Sequence, residues 1–385
     1  MFHIATEEAI RNGRTTDVYF ERARRILEAR GLNPRVKAEF AAKELPRGWP
    51  WAVFAGLEEA ATLLQGLPVR VRAFAEGEIV YPGDPVLEIE GNYRDFMLFE
   101  TAVLGFLCQA SGVATMAARY RKRAGDRQVI SFGARRMHPA VSPMIERNAF
   151  IGGCDGVASV AAAELLGRDP LGTMPHSLVL ILGSTLEAAK AFDEVIEPAA
   201  ARVALIDTFR DEKFECLDLS RELGGRLRAV RFDTPASRRG DLLKILQECR
   251  WELNLRGFEA VKFFISGGIR EEDIERLNPL TSGYGIGAGI SSAPVVDYSM
   301  DLVEIDGRPI AKRGKASGAK RCLECAACGD RRVIPAAKEA GVCACGGRYE
   351  DLLVPLLDHG RRLEELPPPE TIRNGVLKRL DSLPV

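Results

Sequence analysis

The amino-acid sequence predicts an α/β barrel with a smaller segment on either side, and three observations support this fold class. From Gln128 onward, short apolar segments alternate with helical segments, as in repeated βα units around a parallel sheet. Before that point, strand-like segments are separated by glycine and proline turns. Near the C-terminus, the sequence places five cysteines within residues 322–345.

Seven short strands are predicted for the barrel, and helices are predicted between most of them. The predicted strands are Val129–Ser131, Gly156–Ala158, Thr173–Met174, Val203–Ile206, Arg228–Val230, Lys262–Ile265 and Gly283–Ile286. The predicted helices are Ala140–Phe150, Val160–Leu166, Thr185–Ile196, Glu212–Leu223 and Asp241–Leu255. All parallel strands present their carboxyl ends on one face, so residues far apart in sequence converge there.

The segment before the barrel has α+β character. A helix begins near Thr16 or Asp17, and a long helical stretch covers about residues 95–123. Antiparallel strands are predicted at Val36–Ala41, Val69–Phe74, Glu78–Tyr81 and Pro85–Ile89. Strand-like alternation returns after the barrel, with Asp306-Gly307 as a hairpin turn. We therefore predict three domains: 1–116 plus 291–318, 117–290 for the barrel, and 319–385.

Composition excludes several protein classes. With 46% hydrophobic and 28% charged residues, the chain has the composition of a globular protein. The net charge of −1 argues against a general nucleic-acid binder, which is normally basic. We find no apolar run long enough to span a bilayer and no signal peptide in MFHIATEEAI. A cytoplasmic protein without a nucleic-acid or membrane partner is the expectation.

The C-terminal cysteines predict a structural metal site. Cys325, Cys328, Cys343 and Cys345 form two closely spaced pairs, each followed by glycine. Two such turns aim four thiolates at one point, which is the tetrahedral set of structural zinc, and disulfides are rare in the cytosol. Cys322 is either surplus or a replacement for Cys325. Four thiolates leave no open coordination position, so the zinc is expected to stabilise the domain.

Polar, charged, aromatic or glycine-rich segments supply candidate site residues beside almost every predicted barrel strand, where a barrel builds its active site. These residues are Phe132, Arg135, Arg136, His138, Asp155, Thr173, His176, Asp207, Arg231, Asp233, Gly267, Gly268, Gly285, Gly287, Ala288 and Gly289. The glycine-rich turns predict phosphate binding through backbone amides. The arginines suit carboxylate or phosphate, with surface ion pairs as the alternative. The sequence thus predicts a pocket for a phosphorylated or anionic small molecule.

The roles of the carboxylates, histidines and aromatics stay open at this level. Asp155, Asp207 and Asp233 can bind Mg²⁺, contact ribose hydroxyls or face a developing cation, and helix capping is the alternative. His138 and His176 can act as base, phosphate donor or nucleophile, or be structural. Phe132 and Tyr19 can sandwich a flat ring, although core packing explains either residue alone.

Several motifs together resemble one enzyme family over nearly the whole chain. They are TDVYF at residues 16–20, PGDPVLEIEG, FGARRMHPA, IGGCDGVAS, GTMPHS, the Asp207-Thr208 pair, VRFDT and YGIGAG. With these motifs the chain resembles the nicotinate phosphoribosyltransferases of the type II phosphoribosyltransferase family. The resemblance is to the short archaeal form that ends in a cysteine-rich zinc module.

The resemblance implies a fold and an activity. The implied fold is a seven-stranded α/β barrel, an N-terminal sandwich domain and a C-terminal zinc-ribbon-like domain. The implied reaction transfers phosphoribosyl from phosphoribosyl pyrophosphate (PRPP) to the ring nitrogen of nicotinate in NAD salvage, with Mg²⁺ and with ATP as co-substrate. The family also implies homodimers that share active sites, and these dimers can assemble into a trimer of dimers.

The resemblance also implies residue roles. Phe132 matches the aromatic that stacks on the substrate ring, and Tyr19 matches one supplied by the neighbouring subunit. The predicted substrate-binding set is Tyr19, Phe132, Arg135, His138, Asp155, Thr173 and Arg231. His176 matches the histidine that the family phosphorylates, and it joins Asp207 and Asp233 as the predicted catalytic set. Gly267, Gly268, Gly287 and Ala288 match the 5′-phosphate loops.

Two alternatives to the nicotinate reaction follow from the same residues. The stretch from Glu100 to Thr115 is similar to quinolinate phosphoribosyltransferases, but those enzymes carry arginine where this chain has Thr101. Loss of that cation argues against a dicarboxylate substrate. A nicotinamide or quinolinate enzyme is the first alternative, and a non-catalytic zinc-ribbon binding protein is the second.

Overall fold

A computed structural model describes residues 2–235, 237–238 and 240–384. The chain divides into two compact units: residues 2–115 with 294–384 form the first, and residues 116–293 form the second. The C-terminal segment thus belongs to the same compact unit as the N-terminal segment. The division into three domains stays a prediction.

Strands occur throughout both units of the described chain. In chain order they are β1 (Arg35–Ala42), β2 (Ala52–Val53), β3 (Arg70–Ala73), β4 (Ile79–Val80), β5 (Pro85–Asn92), β6 (Gln128–Ser131), β7 (Gly156–Val157), β8 (Val203–Leu205), β9 (Ala229–Phe232), β10 (Lys262–Ile265), β11 (Gly283–Ile286), β12 (Tyr298–Ile305), β13 (Arg308–Pro309), β14 (Lys320–Cys325), β15 (Arg331–Pro335), β16 (Tyr349–Asp351), β17 (Val354–Asp358) and β18 (Arg361–Arg362).

The α-helices of the described chain occur in both units, and in the second unit most of them lie between consecutive strands of the parallel sheet. In chain order they are α1 (Glu7–Arg11), α2 (Val18–Ala29), α3 (Leu57–Leu64), α4 (Tyr93–Phe96), α5 (Glu100–Ala124), α6 (Ser142–Ile151), α7 (Val160–Leu166), α8 (His176–Leu182), α9 (Thr185–Val195), α10 (Glu212–Leu223), α11 (Leu242–Asn254), α12 (Ile274–Leu277), α13 (Ala288–Ser291) and α14 (Pro369–Leu380).

The second unit is built on a parallel sheet in the order β7-β6-β11-β10-β9-β8. The order and the parallel pairing confirm the α/β barrel class, because the first and last strands in sequence lie on neighbouring positions of a curled sheet with helices between them. All four residues of β11 are buried, as expected for a strand covered on both faces.

Six of the seven predicted barrel strands form within the described residues, and the third does not. Thr173 and Met174 lie in a loop without regular structure. The preceding Leu171 donates one backbone hydrogen bond of 2.8 Å to the Val157 carbonyl, so the loop touches the edge of β7 without extending the sheet. The sheet is therefore open between β7 and β8. Helix α8, which begins at His176, was also absent from the predicted helices.

Capping residues set the starts of the helices around this sheet. The Ser184 side chain accepts a hydrogen bond from the Glu187 amide at α9, and the Asp211 side chain accepts one from the Lys213 amide at α10. The Asp241 side chain accepts one from the Leu243 amide at α11. These caps explain why the predicted and observed starts of the three helices agree to within one residue.

The first unit contains a seven-stranded sheet in the order β13-β12-β1-β5-β3-β17-β18. Alternate residues of β1 are buried, which is the pattern of a strand with one face on a core. The turn between β12 and β13 has φ of 47° at Asp306 and 75° at Gly307, as a two-residue hairpin requires. The segment after the barrel thus rejoins the first sheet, because β12 pairs with β1.

The strands β15-β14-β16 form a small sheet, in which β14 carries Cys322 and Cys325, and buried ion pairs connect it to the rest of the first unit. The Arg331 guanidinium lies 2.9 Å from Asp84 and 3.0 Å from Glu78, and it also contacts Glu324. Its side chain is 8% exposed. A buried cation with three carboxylate partners fixes the small sheet against the turn before β5, since removing one partner leaves charge unpaired.

One helical stretch requires a correction to the composition analysis. Residues Tyr93–Ala124 are long and apolar enough, with a hydropathy of 1.5, to cross a membrane by length and composition alone. Nearly half of the apolar window, 44%, is buried inside the structure. The helix also ends in Arg121, Lys122 and Arg123. Core helices of soluble proteins have the same properties, so this stretch is weak evidence for a membrane span.

We predict that Gly56→Ala destabilises the fold more than the matched variant Gly83→Ala. Both glycines have φ of +88°, which costs any L-residue about 1–2 kcal/mol. A Cβ at Gly56 would also lie 2.4 Å from the Phe106 carbonyl oxygen, whereas none of the described atoms lies within 4 Å of one at Gly83. Overpacking adds about 1–3 kcal/mol. Urea unfolding of both variants measures the difference, and equal losses would contradict it.

Candidate active site

A cavity of about 820 Å³ opens where the parallel strands of the second unit end. Its lining comes from the segments that follow β6, β7, β9, β10 and β11 and from the loop before α8. The lining includes Phe132, Arg135, Arg136, Ser159, Thr173, His176, Arg231, Asp233, Ser266, Gly267, Gly268, Gly285, Gly287 and Ala288. The strand-end argument made from the sequence therefore identifies most of this cavity.

Phe132 supplies an aromatic ring to the cavity. It directly follows β6, and its amide donates a 2.8 Å hydrogen bond to the Ile286 carbonyl. A Cβ at Gly285 would lie 2.3 Å from the ring carbon Cε2, so only glycine lets the ring lie against β11. The Phe264 ring packs beside it with centroids 6.0 Å apart. The ring is thus held by its own strand and by two neighbours.

Arg231 on β9 is the most extensively bonded cation of the cavity. Its Nε donates to Ser266 Oγ at 2.8 Å, one terminal nitrogen donates to Thr173 Oγ1 at 3.0 Å, and the other donates to Asp233 Oδ2 at 3.0 Å. The guanidinium carbon lies 5.2 Å from the centre of the Phe132 ring. A cation over an aromatic face, in a cavity, suits a flat anionic ligand.

His176 lies at the start of α8 between a hydroxyl and two carboxylates. Its Nδ1 is 3.0 Å from Thr208 Oγ1, and its Nε2 is 3.4 Å from Asp233 Oδ2. A second carboxylate oxygen, Asp207 Oδ1, lies 3.8 Å from Nε2. The ring is still 42% exposed, so a ligand in the cavity can reach it.

Asp207 is the most buried acidic group of this cluster. Its side chain is 4% exposed, and its Oδ1 has no hydrogen-bond partner among the described residues. Burial raises the pKa of Asp207, the Asp233 charge raises it further, and the His176 ring opposes the rise. A buried, incompletely bonded carboxylate favours a cation close by, either a protonated imidazole or a metal ion.

Two glycine turns line the part of the cavity beside β10 and β11. Gly267 and Gly268 have φ of +82° and +73°. A Cβ at Gly267 would lie 2.6 Å from the Asp233 carbonyl oxygen, so the turn packs directly on the end of β9. Gly287 and Ala288 form the equivalent turn after β11 and begin the short helix α13. Consecutive amides in such turns form a concave anion site.

The predicted residues at the end of β6 separate into two groups. Arg135 and Arg136 lie in a short 3₁₀ turn, are exposed and line the cavity. His138 is exposed and is not among the residues that line the cavity. Its Nδ1 accepts a 3.2 Å hydrogen bond from the Ala140 amide and caps the next turn. The expectation that His138 contacts substrate therefore has no support from its position.

Asp155 lies near the amino ends of β6 and β7, whereas the main cavity lies at their carboxyl ends, and its role near the substrate ring stays a prediction. It precedes β7, and its Oδ2 accepts from Arg121 at 2.7 Å and from the Val129 amide at 2.8 Å. Val129 is near the start of β6, so these bonds are at the amino ends of the strands. The carboxylate joins the end of α5 to the sheet and lines a different cavity.

The structure also shows site residues that the sequence analysis did not select. Ser266 and Thr208 each bond a charged or titratable group of the cluster, and Ser159 lines the cavity near β7. The signal for Ser266 and Thr208 was their position beside the selected Gly267 and Asp207. Which way a hydroxyl points depends on backbone geometry, which the sequence pattern does not supply.

Tyr19, in the first unit, is exposed on helix α2. Its side chain is 57% exposed, its hydroxyl donates to Asp17 Oδ2 at 3.2 Å, and its ring packs against Phe20. Exposure of a large aromatic leaves it available for contact with another molecule. Its stacking role in a neighbouring subunit stays a prediction.

The four predicted cysteines of the C-terminal segment converge. The sulfurs of Cys325, Cys328, Cys343 and Cys345 all lie within 4.8 Å of one another, with two pairs at 3.5 and 3.6 Å. Four thiolates around one zinc ion at about 2.3 Å give sulfur separations of about 3.8 Å. Cys322 lies outside the cluster and donates to Asp84 at 3.6 Å. The cluster can therefore hold a metal ion without Cys322.

Local backbone groups adapt this cluster to a metal. A Cβ at Gly347 would lie 2.6 Å from the Cys325 sulfur and 3.2 Å from that of Cys345, so glycine keeps the space between the pairs open. The Cys345 backbone amide and the Tyr349 hydroxyl lower the pKa of Cys343 to about 6. The neighbouring thiols raise the pKa values of Cys328 and Cys345 despite a backbone hydrogen bond to each, so Cys343 is the thiol of this group that ionises most readily.

Comparison with known proteins gives consistent matches. Residues 17–111 match the family model of the quinolinate phosphoribosyl transferase N-terminal domain, and residues 113–301 match that of the C-terminal domain. A nicotinate phosphoribosyltransferase of Mycobacterium tuberculosis is 31% identical over 333 residues, which is 82% of this chain and 69% of the relative. A nicotinate phosphoribosyltransferase of Bacillus subtilis is 28% identical over 61% of this chain and 49% of its own length.

Solved structures extend the match to the whole chain. The nicotinate-nucleotide pyrophosphorylase of Pyrococcus furiosus is 48% identical, with a TM-score of 0.98 over 100% of this chain and 99% of that one. Human nicotinic acid phosphoribosyltransferase has a TM-score of 0.75 at 22% identity, over 96% of this chain and 94% of that one. The human likeness concerns the fold alone.

Proposed function

The chain belongs to the type II phosphoribosyltransferase family, and from that premise we propose that it transfers phosphoribosyl from PRPP to the ring nitrogen of nicotinate. The products are nicotinate mononucleotide and pyrophosphate, as in NAD salvage. The observation that carries the choice of substrate is the Arg231 guanidinium 5.2 Å from the Phe132 ring centre. An aromatic beside a cation fits a flat ring with one carboxylate.

Further observations support nicotinate over the related pyridines. Nicotinamide lacks the charge that would balance Arg231 and the exposed Arg135. Quinolinate carries a second carboxylate, and quinolinate-type enzymes are expected to have arginine at the position of Thr101. Here the Thr101 hydroxyl donates to Asp17 Oδ2 at 3.3 Å. This position therefore holds a neutral side chain and supplies no positive charge for a second carboxylate. The relatives named above include two nicotinate enzymes.

The proposed chemistry relies on positioning and electrostatics. The nicotinate nitrogen is already a nucleophile and needs no base, so its lone pair forms the bond to C1′ while the C1′–pyrophosphate bond breaks. Positive charge builds on the ribose ring, and Asp233 faces it. The glycine turns at Gly267-Gly268 and Gly287-Ala288 hold the 5′-phosphate by backbone amides. Arginines of the cavity balance the leaving pyrophosphate.

A divalent cation fits this chemistry. When bound, Mg²⁺ neutralises pyrophosphate oxygens. Asp207 is the residue that fits it, because its buried Oδ1 has no hydrogen-bond partner among the described residues. Asp233 is the second acid at the same place, 3.4 Å from the His176 ring.

We further propose that ATP drives the reaction through a phosphorylated His176. An imidazole nitrogen attacks the γ-phosphorus of ATP, the bond to ADP breaks, and water later cleaves the N–P bond and releases phosphate. His176 is the accessible histidine of the cavity, and two carboxylates face its Nε2. Those carboxylates orient the ring toward the phosphoryl donor.

The same family premise leads us to propose a cytoplasmic homodimer with shared active sites. Tyr19 would complete the site of the neighbouring subunit by stacking on the pyridine ring. A trimer of dimers extends the same arrangement. The alternative function, a zinc-ribbon protein without catalysis, predicts no turnover of any pyridine.

A substrate comparison tests the main proposal. Purified protein with PRPP, Mg²⁺ and radiolabelled nicotinate, with and without ATP, is expected to form nicotinate mononucleotide and pyrophosphate. The kcat/KM for nicotinamide and for quinolinate is expected to be lower by roughly 100-fold, because each leaves a charge of the site or ligand unpaired. Preference for either of these, or absence of product in all cases, would overturn the proposal.

His176→Ala tests the ATP step. We expect it to keep basal transfer and to lose the stimulation by ATP, because the phosphoryl acceptor is gone. His138→Ala is the matched control, since that histidine caps a turn outside the cavity. Initial rates at saturating PRPP, with and without ATP, measure both. Full ATP stimulation in His176→Ala would refute a phosphorylated His176.

Cys345→Ser tests a proposed structural zinc ion. We expect bound zinc to fall from about one per chain to near zero, and the melting temperature to fall by at least about 5 °C, because metal binding is coupled to folding. Cys322→Ser is the control, since that thiol bonds Asp84 outside the cluster. Elemental analysis and thermal melts are the measurements. Retained zinc in Cys345→Ser, or its loss in Cys322→Ser alone, contradicts the assignment.

A further inference from the structure

One buried hydroxyl connects the charged groups of the cavity. Ser266 follows β10, is 2% exposed, and donates its amide to the Phe232 carbonyl at 2.9 Å. This backbone bond places its Oγ 2.8 Å from Arg231 Nε and 2.7 Å from Asp233 Oδ1. The side chain therefore lies between the cation and the acid that β9 presents to the cavity.

The direction of each hydrogen bond follows from the donors available. A guanidinium can only donate, so Ser266 Oγ accepts from Arg231 Nε. The single serine proton is then left to donate. Asp233 Oδ1 at 2.7 Å is closer than the Phe232 carbonyl at 3.3 Å and is charged, so it receives the proton. The hydroxyl thus holds both partners at once.

These two bonds determine what the remaining atoms of the pair face. With Oδ1 occupied, Asp233 turns Oδ2 to Arg231 at 3.0 Å and to His176 Nε2 at 3.4 Å. With Nε occupied, Arg231 directs a terminal nitrogen to Thr173 at 3.0 Å and its face to the Phe132 ring. The ring-binding cation and the histidine-facing acid are therefore oriented by the same serine.

We propose that Ser266 is a positioning residue for phosphoribosyl transfer, which orients Arg231 for the pyridine substrate and Asp233 for His176. The inference rests on the proposed function, since it takes Arg231 to contact the pyridine carboxylate. An alanine at this position leaves Arg231 Nε and Asp233 Oδ1, on two partly buried side chains, without that partner. Both side chains are then free to rotate away from the orientations described above.

Ser266→Ala tests the proposal against Ser282→Ala. Ser282 also lies at this sheet, is half-buried and donates to the Phe263 carbonyl at 2.8 Å, but it bonds neither Arg231 nor Asp233. We expect the KM for nicotinate to rise about tenfold in Ser266→Ala, with kcat reduced less, and to stay unchanged in Ser282→Ala. Ser266→Cys, whose thiol is a weak hydrogen-bonding group, is expected to show the same rise if the alanine variant folds poorly.

A double-mutant cycle with Arg231→Lys separates positioning from general stability. Lysine has no Nε–H at that position, so Ser266→Ala is expected to raise KM less than about threefold in the Arg231→Lys background. Equal tenfold effects in both backgrounds, or an unchanged KM in Ser266→Ala and Ser266→Cys, would overturn the role. Thermal melts of Ser266→Ala and Ser282→Ala are expected to give equal melting temperatures, which shows that the rise in KM does not come from a loss of stability.

Failure of the proposed function gives a different result from failure of this inference. If the wild-type protein prefers nicotinamide or quinolinate, the nicotinate proposal fails. The KM values of the Ser266→Ala and Arg231→Lys cycle are then measured with the preferred pyridine. A normal KM for that pyridine in Ser266→Ala then overturns the positioning role as well. A wild type that turns over none of the three pyridines overturns both.

Discussion

The site depends on the contact between Arg231 and Asp233, two residues apart at the end of β9. Side chains at i and i+2 of an extended segment point to the same side, so this spacing alone brings cation and acid together at 3.0 Å. Arg231 then reaches Thr173 and the Phe132 ring, and Asp233 reaches His176. Three separate segments of the chain thus meet through one ion pair.

The geometry around that pair explains why the neighbouring turn carries glycine. Gly267 packs so closely on the Asp233 carbonyl that a Cβ would lie 2.6 Å from its oxygen, and a Cβ at Gly285 would lie 2.3 Å from the Phe132 ring. Larger residues at either place would displace the acid or the aromatic from the cavity. Gly267, which is one of the predicted phosphate-binding glycines, therefore has a packing role as well, which exists before any ligand binds.

Much of the site was predictable because parallel strands share a carboxyl edge. Phe132, Arg231, Asp233, Gly267 and Gly287 follow from strand positions alone. The resemblance assigned Asp155 to the substrate ring, whereas the bond from the Val129 amide shows that its carboxylate lies near the amino ends of the strands. The strand predicted at Thr173 was wrong, since a two-residue segment carries little periodic signal. The direction of the Ser266 hydroxyl and the isolation of Cys322 depend on tertiary packing.

Asp207 shows how the cavity combines stability and chemistry. A buried acid with an unbonded oxygen and a raised pKa opposes folding at neutral pH, because its charged form is poorly solvated. That disadvantage would diminish if a metal ion bound beside the carboxylate. Both carboxylate oxygens of Asp233 already have partners, which are Ser266, Arg231 and His176. Asp233 is therefore less able than Asp207 to bind an additional cation. Of the two acids, Asp207 and Asp233, Asp207 is therefore the one whose interactions change most when a cation binds in the cavity.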